Sequence, residues 1–356
     1  MANDTNKQNC TPCKKTSIGG QALMEGIMMR GPEKTAMAVR NAKGDIILEN
    51  VKTIPTTAKV YKIPFVRGIF NMGASLVQGY KCLMRSADIA IADAEEADRL
   101  IAEQKKAQKK GKTLPEATED TPTEDSSESK IVKKEDAKNQ SAATGVVMVI
   151  GVILGLALAI GLFIALPSYL YTLLEKLTGM EIANPYLQGL TKTAFEGVFK
   201  IILLVIYMAA VSRMKEIRRV FMYHGAEHKT IFCYEQGLDL TVDNIRPQKR
   251  FHPRCGTSFI ILVLLVSMII GFFIPVSLAT WQRVLIKIAL LPLTIGVGYE
   301  LIKLAGRRDN LFTRIISKPG VWLQHITTVE PDDSMIECAI AAMNEVIPED
   351  KTQDNW

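Results

Sequence analysis

The chain has 356 residues, is 48% hydrophobic and has a mean hydropathy of +0.12, which argues against an ordinary soluble enzyme and for a protein partnered with a lipid bilayer. Its formal charge of +6 reads as the basic cytoplasmic face of a membrane protein, so no specific nucleic acid is expected. Six scattered cysteines exclude a disulfide-stapled secreted module, and the polar start does not read as a secretory signal.

In chain order, residues 1–16 read as a disordered tail. Its Cys10-Thr-Pro-Cys13 has no second pair nearby with which to close a metal knuckle. Residues 17–110 form a small cytoplasmic α+β unit, a β unit followed by a helix. Within it, Ala36–Arg40 and Asp45–Val51 are strand-like runs around the turn Asn41-Ala42-Lys43-Gly44. Residues 62–110 read as helix, with Gly111 as its stop. The early part, Ile63–Met84, is apolar but interrupted by Arg67, Gly68, Gly73 and Gly79. It lies on the membrane surface, re-enters the membrane or packs on the spans.

Upstream, the glycine-rich stretch from Ile18 to Pro32 matches neither a Walker A loop nor a dinucleotide fingerprint. Its glycines let backbone approach a ligand closely; Glu25 offers a carboxylate and Arg30 a grip on an anion such as a phosphate headgroup. The plainer reading is a tight loop packed on the cytoplasmic unit.

Residues 111–142 mix charges, carry Pro115 and Pro122 and lack aromatics. They cannot bury enough apolar surface to offset chain entropy and read as a disordered linker. Residues 143–304 form a transmembrane domain with about four spans: Val146–Leu166, Phe195–Val211, Ser258–Val276 and Val284–Ile302. Each is on the scale of the roughly 30 Å hydrocarbon core. Glu196 and Lys200, one turn apart, are expected to pair and snorkel to the surface.

The cytoplasmic loop 213–257 is rich in Lys and Arg, from Arg213 to Arg254, and span four is followed by Lys303, Arg307, Arg308 and Arg314. The other loops hold only Lys176, Lys192 and Arg283. Positive-inside then places both termini and the 213–257 loop in the cytoplasm, as an even number of spans requires. In the C-terminal cytoplasmic tail, residues 305–356, Ser334-Met-Ile-Glu337 resembles a capping box. It opens a short amphipathic helix that docks Ile336, Ile340, Met343 and Ile347 on the cytoplasmic part.

Three of the four histidines fall between residues 224 and 252. His224 and His228 project from one helical face, and Glu227 borders it, spelling H-x-x-E-H. In that pattern two histidines hold zinc and the glutamate is general base. Gly237 terminates the helix and Gly225 weakens it. At the mouth of the third span, His252 and Cys255 offer an imidazole and a thiolate that can complete the shell. Glu300 is the alternative donor, unless it pairs with a nearby base. Four protein ligands make a closed structural site; three, with Glu227 beside an open position, make a catalytic one. Without a metal, the same residues are interfacial polar groups bonded to headgroups or backbone.

GGQALMEGIMMRGP, YHGAEHKTIFCYE, FHPRCGTSF and YELIKLAGR together resemble the YqhQ-like family of bacterial multi-pass membrane proteins (domain of unknown function 1385). That family is of unknown function and is sometimes labelled a predicted metal-dependent enzyme. The resemblance covers nearly all of residues 17–347. It implies a location in the bacterial inner membrane and marks Gln21, Glu25, Arg30, His224, Glu227, His228, His252, Cys255 and Glu300 as motif positions. It brings no substrate.

The expected function is an inner-membrane protein with a cytoplasm-facing divalent metal site, zinc before others, acting as a hydrolase on a peptide or lipid. The alternative is a non-enzymatic assembly factor in which a structural metal or polar clamp serves an unidentified protein or lipid partner. A weaker alternative is a transporter.

Overall fold

The computed structural model describes residues 15–54, 63–109, 150–179, 182–307, 310–350 and 354. The expected linker, its Gly111 stop and nearly all of the expected tail lie outside these residues. What is described is mainly helical, with one small sheet near its start.

The sheet has four antiparallel strands in the order β1-β2-β3-β4: Gly19–Leu23, Gly26–Arg30, Thr35–Arg40 and Ile46–Val51. The β3–β4 hairpin is the one expected. Gly44 turns it at φ +95°, and Asn41 Oδ1 accepts the Asp45 N–H at 2.8 Å. The glycine-rich stretch, read as a loop, is instead the β1–β2 hairpin, turned at Glu25 with φ +52°.

Both faces of this sheet are covered, so β2 and β3 lack the alternation that marks a half-exposed strand. On one face, Leu23, Met28, Met37 and Val39 pack with Cys82 and Ile89 of helix α1, Val66–Lys109. On the other, Ile27, Met29, Ala36 and Ala38 pack with two helices, α4 (Lys215–Glu235) and α10 (Asp333–Val346). The start of α1 packs on the apolar part, where Gly68 lies against Tyr299 and Asn71 Nδ2 donates to Tyr299 Oη at 3.2 Å.

Helices α2 (Ile150–Thr178) and α3 (Pro185–Val211) are long and apolar enough to cross a membrane. A π-helical turn at Gly161–Ala165 interrupts α2 just before Pro167, whose ring disfavours a regular α-helical turn there. Asn184 caps α3, accepting the Tyr186 and Leu187 N–H groups. Thus α3 begins ten residues before the expected span.

In the basic loop, α4 is followed by a short turn of helix, α5 (Val242–Ile245). Gly237, at φ +69°, ends the α4 region as expected. Helix α6 (Gly256–Gly271) is apolar but shorter than the expected span, ending before Pro275. Helices α7 (Thr280–Ala289) and α8 (Leu291–Arg307) bend by 49° and give a third candidate crossing when taken as one. Pro292 stands at the bend and removes a helical N–H there.

Two expectations need correction. Glu196 and Lys200 do not snorkel as a pair: both are buried, and Glu196 pairs with Lys287. Asp332, not Ser334, caps α10 by accepting the Met335 N–H at 3.0 Å, while Ser334 Oγ donates to Asp332. A further helix, α9 (Leu311–Thr327), lies in what read as a tail. It packs on α6 and brings its last residues to the histidines of α4.

Candidate metal centre

The centre forms where α4, the start of α6, the end of α9 and β1 meet. Along α4, Tyr223, Ala226, Glu227, Thr230 and Cys233 are buried, so this face is the inward stripe of the helix. One helical turn sets the rings of His224 and His228 4.4 Å apart between centroids. Gly225 between them admits the chain that follows α9, since a Cβ there would run into the carbonyl oxygen of Val329. Val329 N–H also donates to the Phe221 carbonyl at 2.9 Å, fixing that chain to α4. The glycine that weakens the helix therefore has a packing reason.

Each imidazole is oriented through its Nδ1. His224 Nδ1 lies 2.8 Å from the Thr327 carbonyl oxygen, and His228 Nδ1 lies 2.5 Å from that of Arg250. A carbonyl can only accept, so each Nδ1 carries a proton and each Nε2 is turned inward. His224 Nε2 is 3.0 Å from Cys255 Sγ. His228 Nε2 is buried with no hydrogen-bond partner among the described residues. One ligand atom from each of His224, His228 and Cys255 lies within 4.8 Å of the others, close enough to hold one metal ion.

This donor set, two imidazoles backed by carbonyls and one thiolate, suits a borderline-soft divalent cation such as zinc. Burial alone would push the His224 imidazolium down, but the adjoining Cys255 sulfur overrides it and raises His224 to about 9. Burial likewise opposes the Cys255 thiolate, yet the two imidazoles bring it well below the usual thiol range. Without metal, the pair is an imidazolium–thiolate.

Glu227 is 5% exposed, and burial raises its carboxyl above the usual range. Its Oε1 accepts the Gly20 N–H of β1 at 3.0 Å. Gly20 passes so close that a Cβ there would sit 2.9 Å from the Glu227 carboxyl carbon.

The other sequence-predicted residues are placed elsewhere. His252 is held through its backbone: its N–H donates to Gln324 Oε1 and its carbonyl accepts from Gln324 Nε2, both at 2.7 Å. Its ring lies tilted beside that of His228, centroids 5.5 Å apart, but directs Nε2 to Glu235, 4.0 Å away, beside the Arg254–Glu235 ion pair. Burial lowers His252 to about 4, so it stays neutral. Glu300 is not at the centre: it accepts from Arg67 Nε at 2.7 Å and from the Phe65 N–H at 3.2 Å, joining α8 to the start of α1.

Glu25 pairs with Arg219 of α4 and accepts from Tyr223 Oη at 3.4 Å. Arg30 donates to Ser75 Oγ at 3.2 Å and to the Ile54 carbonyl at 3.4 Å. Gln21 lies against Gly79 of α1, and with Arg30 it lines a groove of about 650 Å³ that reaches Gly20. Sequence reasoning missed the Thr327 and Arg250 carbonyls and Gln324. Backbone acceptors leave no side-chain signature.

The family described as "Protein of unknown function (DUF1385)" matches residues 63–349. The chain is 33% identical over 334 residues to a protein of Bacillus subtilis (strain 168) described as "Uncharacterized protein YqhQ", covering 93% of this chain and 92% of that one. No solved structure matches.

Proposed function

The chain belongs to the DUF1385 family, whose function is unknown, and from the geometry of its histidines we propose a membrane hydrolase with a zinc centre on its cytoplasmic side. In this reading α2, α3, α6 and the α7–α8 pair make four crossings, His224, His228 and Cys255 hold the metal, and Glu227 is the general base. The observation that carries it is the buried, unpartnered Nε2 of His228, aimed where His224 Nε2 and Cys255 Sγ also converge. A buried polar atom without a partner is costly, and a metal ion removes that cost.

A zinc ion with three protein ligands supplies Lewis acidity at its fourth position. Glu227 lies on the same helix face, its carboxyl steadied by Gly20 and pushed up by burial, where it can take and return a proton. Gly20 also lines the groove with Gln21 and Arg30, a place for a peptide or lipid substrate to approach.

A second reading, a structural centre, is favoured by how much the site ties together. One cluster joins α4 to the start of α6 and, through the Thr327 carbonyl, to the end of α9. In that case the protein serves as a membrane assembly factor.

Metal analysis of the full-length protein in detergent tests both readings. About one zinc per chain is expected, lost in Cys255→Ser and in His228→Ala. Under the hydrolase reading, Glu227→Gln keeps the zinc and the thermal stability but fails to complement a deletion strain. Complementation by Glu227→Gln would leave the structural reading. Metal-free wild-type protein that is fully folded would sink both.

A further inference from the structure

A second polar cluster lies among the apolar helices. Between α2, α3, α6 and the α7–α8 bend is a cavity of about 270 Å³, walled mostly by aliphatic and aromatic side chains such as Leu156, Ile160, Phe163 and Ile274. Thr193, Glu196 and Lys200, at helical spacing on one face of α3, line it together with Lys287 of α7.

The charges do not balance. Glu196 accepts from Ser168 Oγ at 2.8 Å and pairs with Lys287, so its charge is taken. Lys200, one turn from Glu196 and in electrostatic contact with it, is 8% exposed and makes no hydrogen bond or close ion pair among the described residues. Thr193 Oγ1 is buried and also without a partner. Nearby, Arg283 is fully buried and, among the described residues, donates only from Nη1, to the Ile274 and Pro275 carbonyls. Lys192 is buried over the Tyr171 ring. Against these four bases stand Glu196 and Glu175, the latter accepting from Gln188 at 3.1 Å. A surplus of buried cations in apolar surroundings calls for an anion.

Both helix irregularities border the cluster. The π-helical turn of α2 ends three residues before Ser168, and the α7–α8 break follows Lys287 by three residues. Such interruptions inside apolar helices recur at binding sites.

We propose that this cavity binds a single-chain anionic amphiphile of the long-chain carboxylate type. Its anion sits on Lys200 and Thr193 and its chain lies along the aliphatic wall. The mostly apolar wall is what selects an amphiphile over a free inorganic anion.

The test is displacement of a fluorescent fatty acid from the full-length protein in nanodiscs by oleate, oleyl alcohol or inorganic phosphate. Oleate is expected to bind the wild type about tenfold or more tightly than it binds Lys200→Met, and about tenfold more tightly than oleyl alcohol binds the wild type. Lys200→Arg is expected to retain binding and Thr193→Val to weaken it, which keeps the test decisive should Lys200→Met not fold. Equal oleate affinity in wild type, Lys200→Met and Thr193→Val would overturn the proposal. So would oleyl alcohol binding as well as oleate, which marks an apolar groove, or phosphate displacing as well, which marks a free-anion site.

Discussion

At Gly225 two effects oppose each other. Alanine would gain about 1 kcal/mol of helix propensity over glycine. Its Cβ, however, would strike the Val329 carbonyl oxygen, which is backbone and cannot yield as a side-chain tip can. Overpacking of this kind costs about 1–3 kcal/mol and wins. The displaced chain also carries Thr327, whose carbonyl orients His224. Gly225→Ala is therefore expected to lower both the thermal unfolding midpoint and the bound zinc, measured on one preparation. Unchanged values for both would refute the close approach. At this scale the sequence exposes side-chain donors at helical spacing, which is why the cluster of His224, His228 and Cys255 is legible in it. It does not expose which carbonyl backs which ring. Nor does it reveal that Gln324 and Glu235 hold His252 aside.

Between elements, Glu300 decides how α8 meets α1. As an ionisable group in an apolar helix it read equally as a ligand or as an ion-pair partner, and the base that takes it, Arg67, lies 233 residues away in sequence. Pairings of that length leave no local signal. If Arg67 is its whole role, Glu300→Gln keeps the zinc stoichiometry and costs about 1 kcal/mol, because the partly exposed pair is screened by solvent. Metal analysis and thermal unfolding check this, and loss of zinc in Glu300→Gln would return the residue to the centre. The same limit explains strands β1 and β2. Their period was hidden because α1 covers one face of the sheet and α4 with α10 the other, whereas β3 and β4 were legible from their turn residues. Helix α9 was obscured by Pro319 within it.

For the whole molecule, burial and charge point the same way. The sheet, α4 and α10 share one hydrophobic core cluster. The basic loop that contains α4 belongs to that unit, so in the proposed topology positive-inside puts the unit, and the candidate metal centre with it, on the cytoplasmic side. The α2–α3 connection, poor in base, then lies on the opposite side. The proposed topology has an even number of crossings, with α6 and the bent α7–α8 pair each crossing once beside the two long apolar helices. Single cysteines at Ala183 and at Lys249, both exposed, separate the possibilities. A membrane-impermeant maleimide on intact cells is expected to label Ala183→Cys at once and Lys249→Cys only after permeabilisation. With Cys10 and Cys13 replaced by serine, the remaining native cysteines Cys82, Cys233, Cys255 and Cys338 are buried and add little background. Labelling of both positions from the same side would mean that α2 and α3 do not carry the chain from one face to the other as an outward hairpin. The centre would then lose its assigned compartment while keeping its geometry.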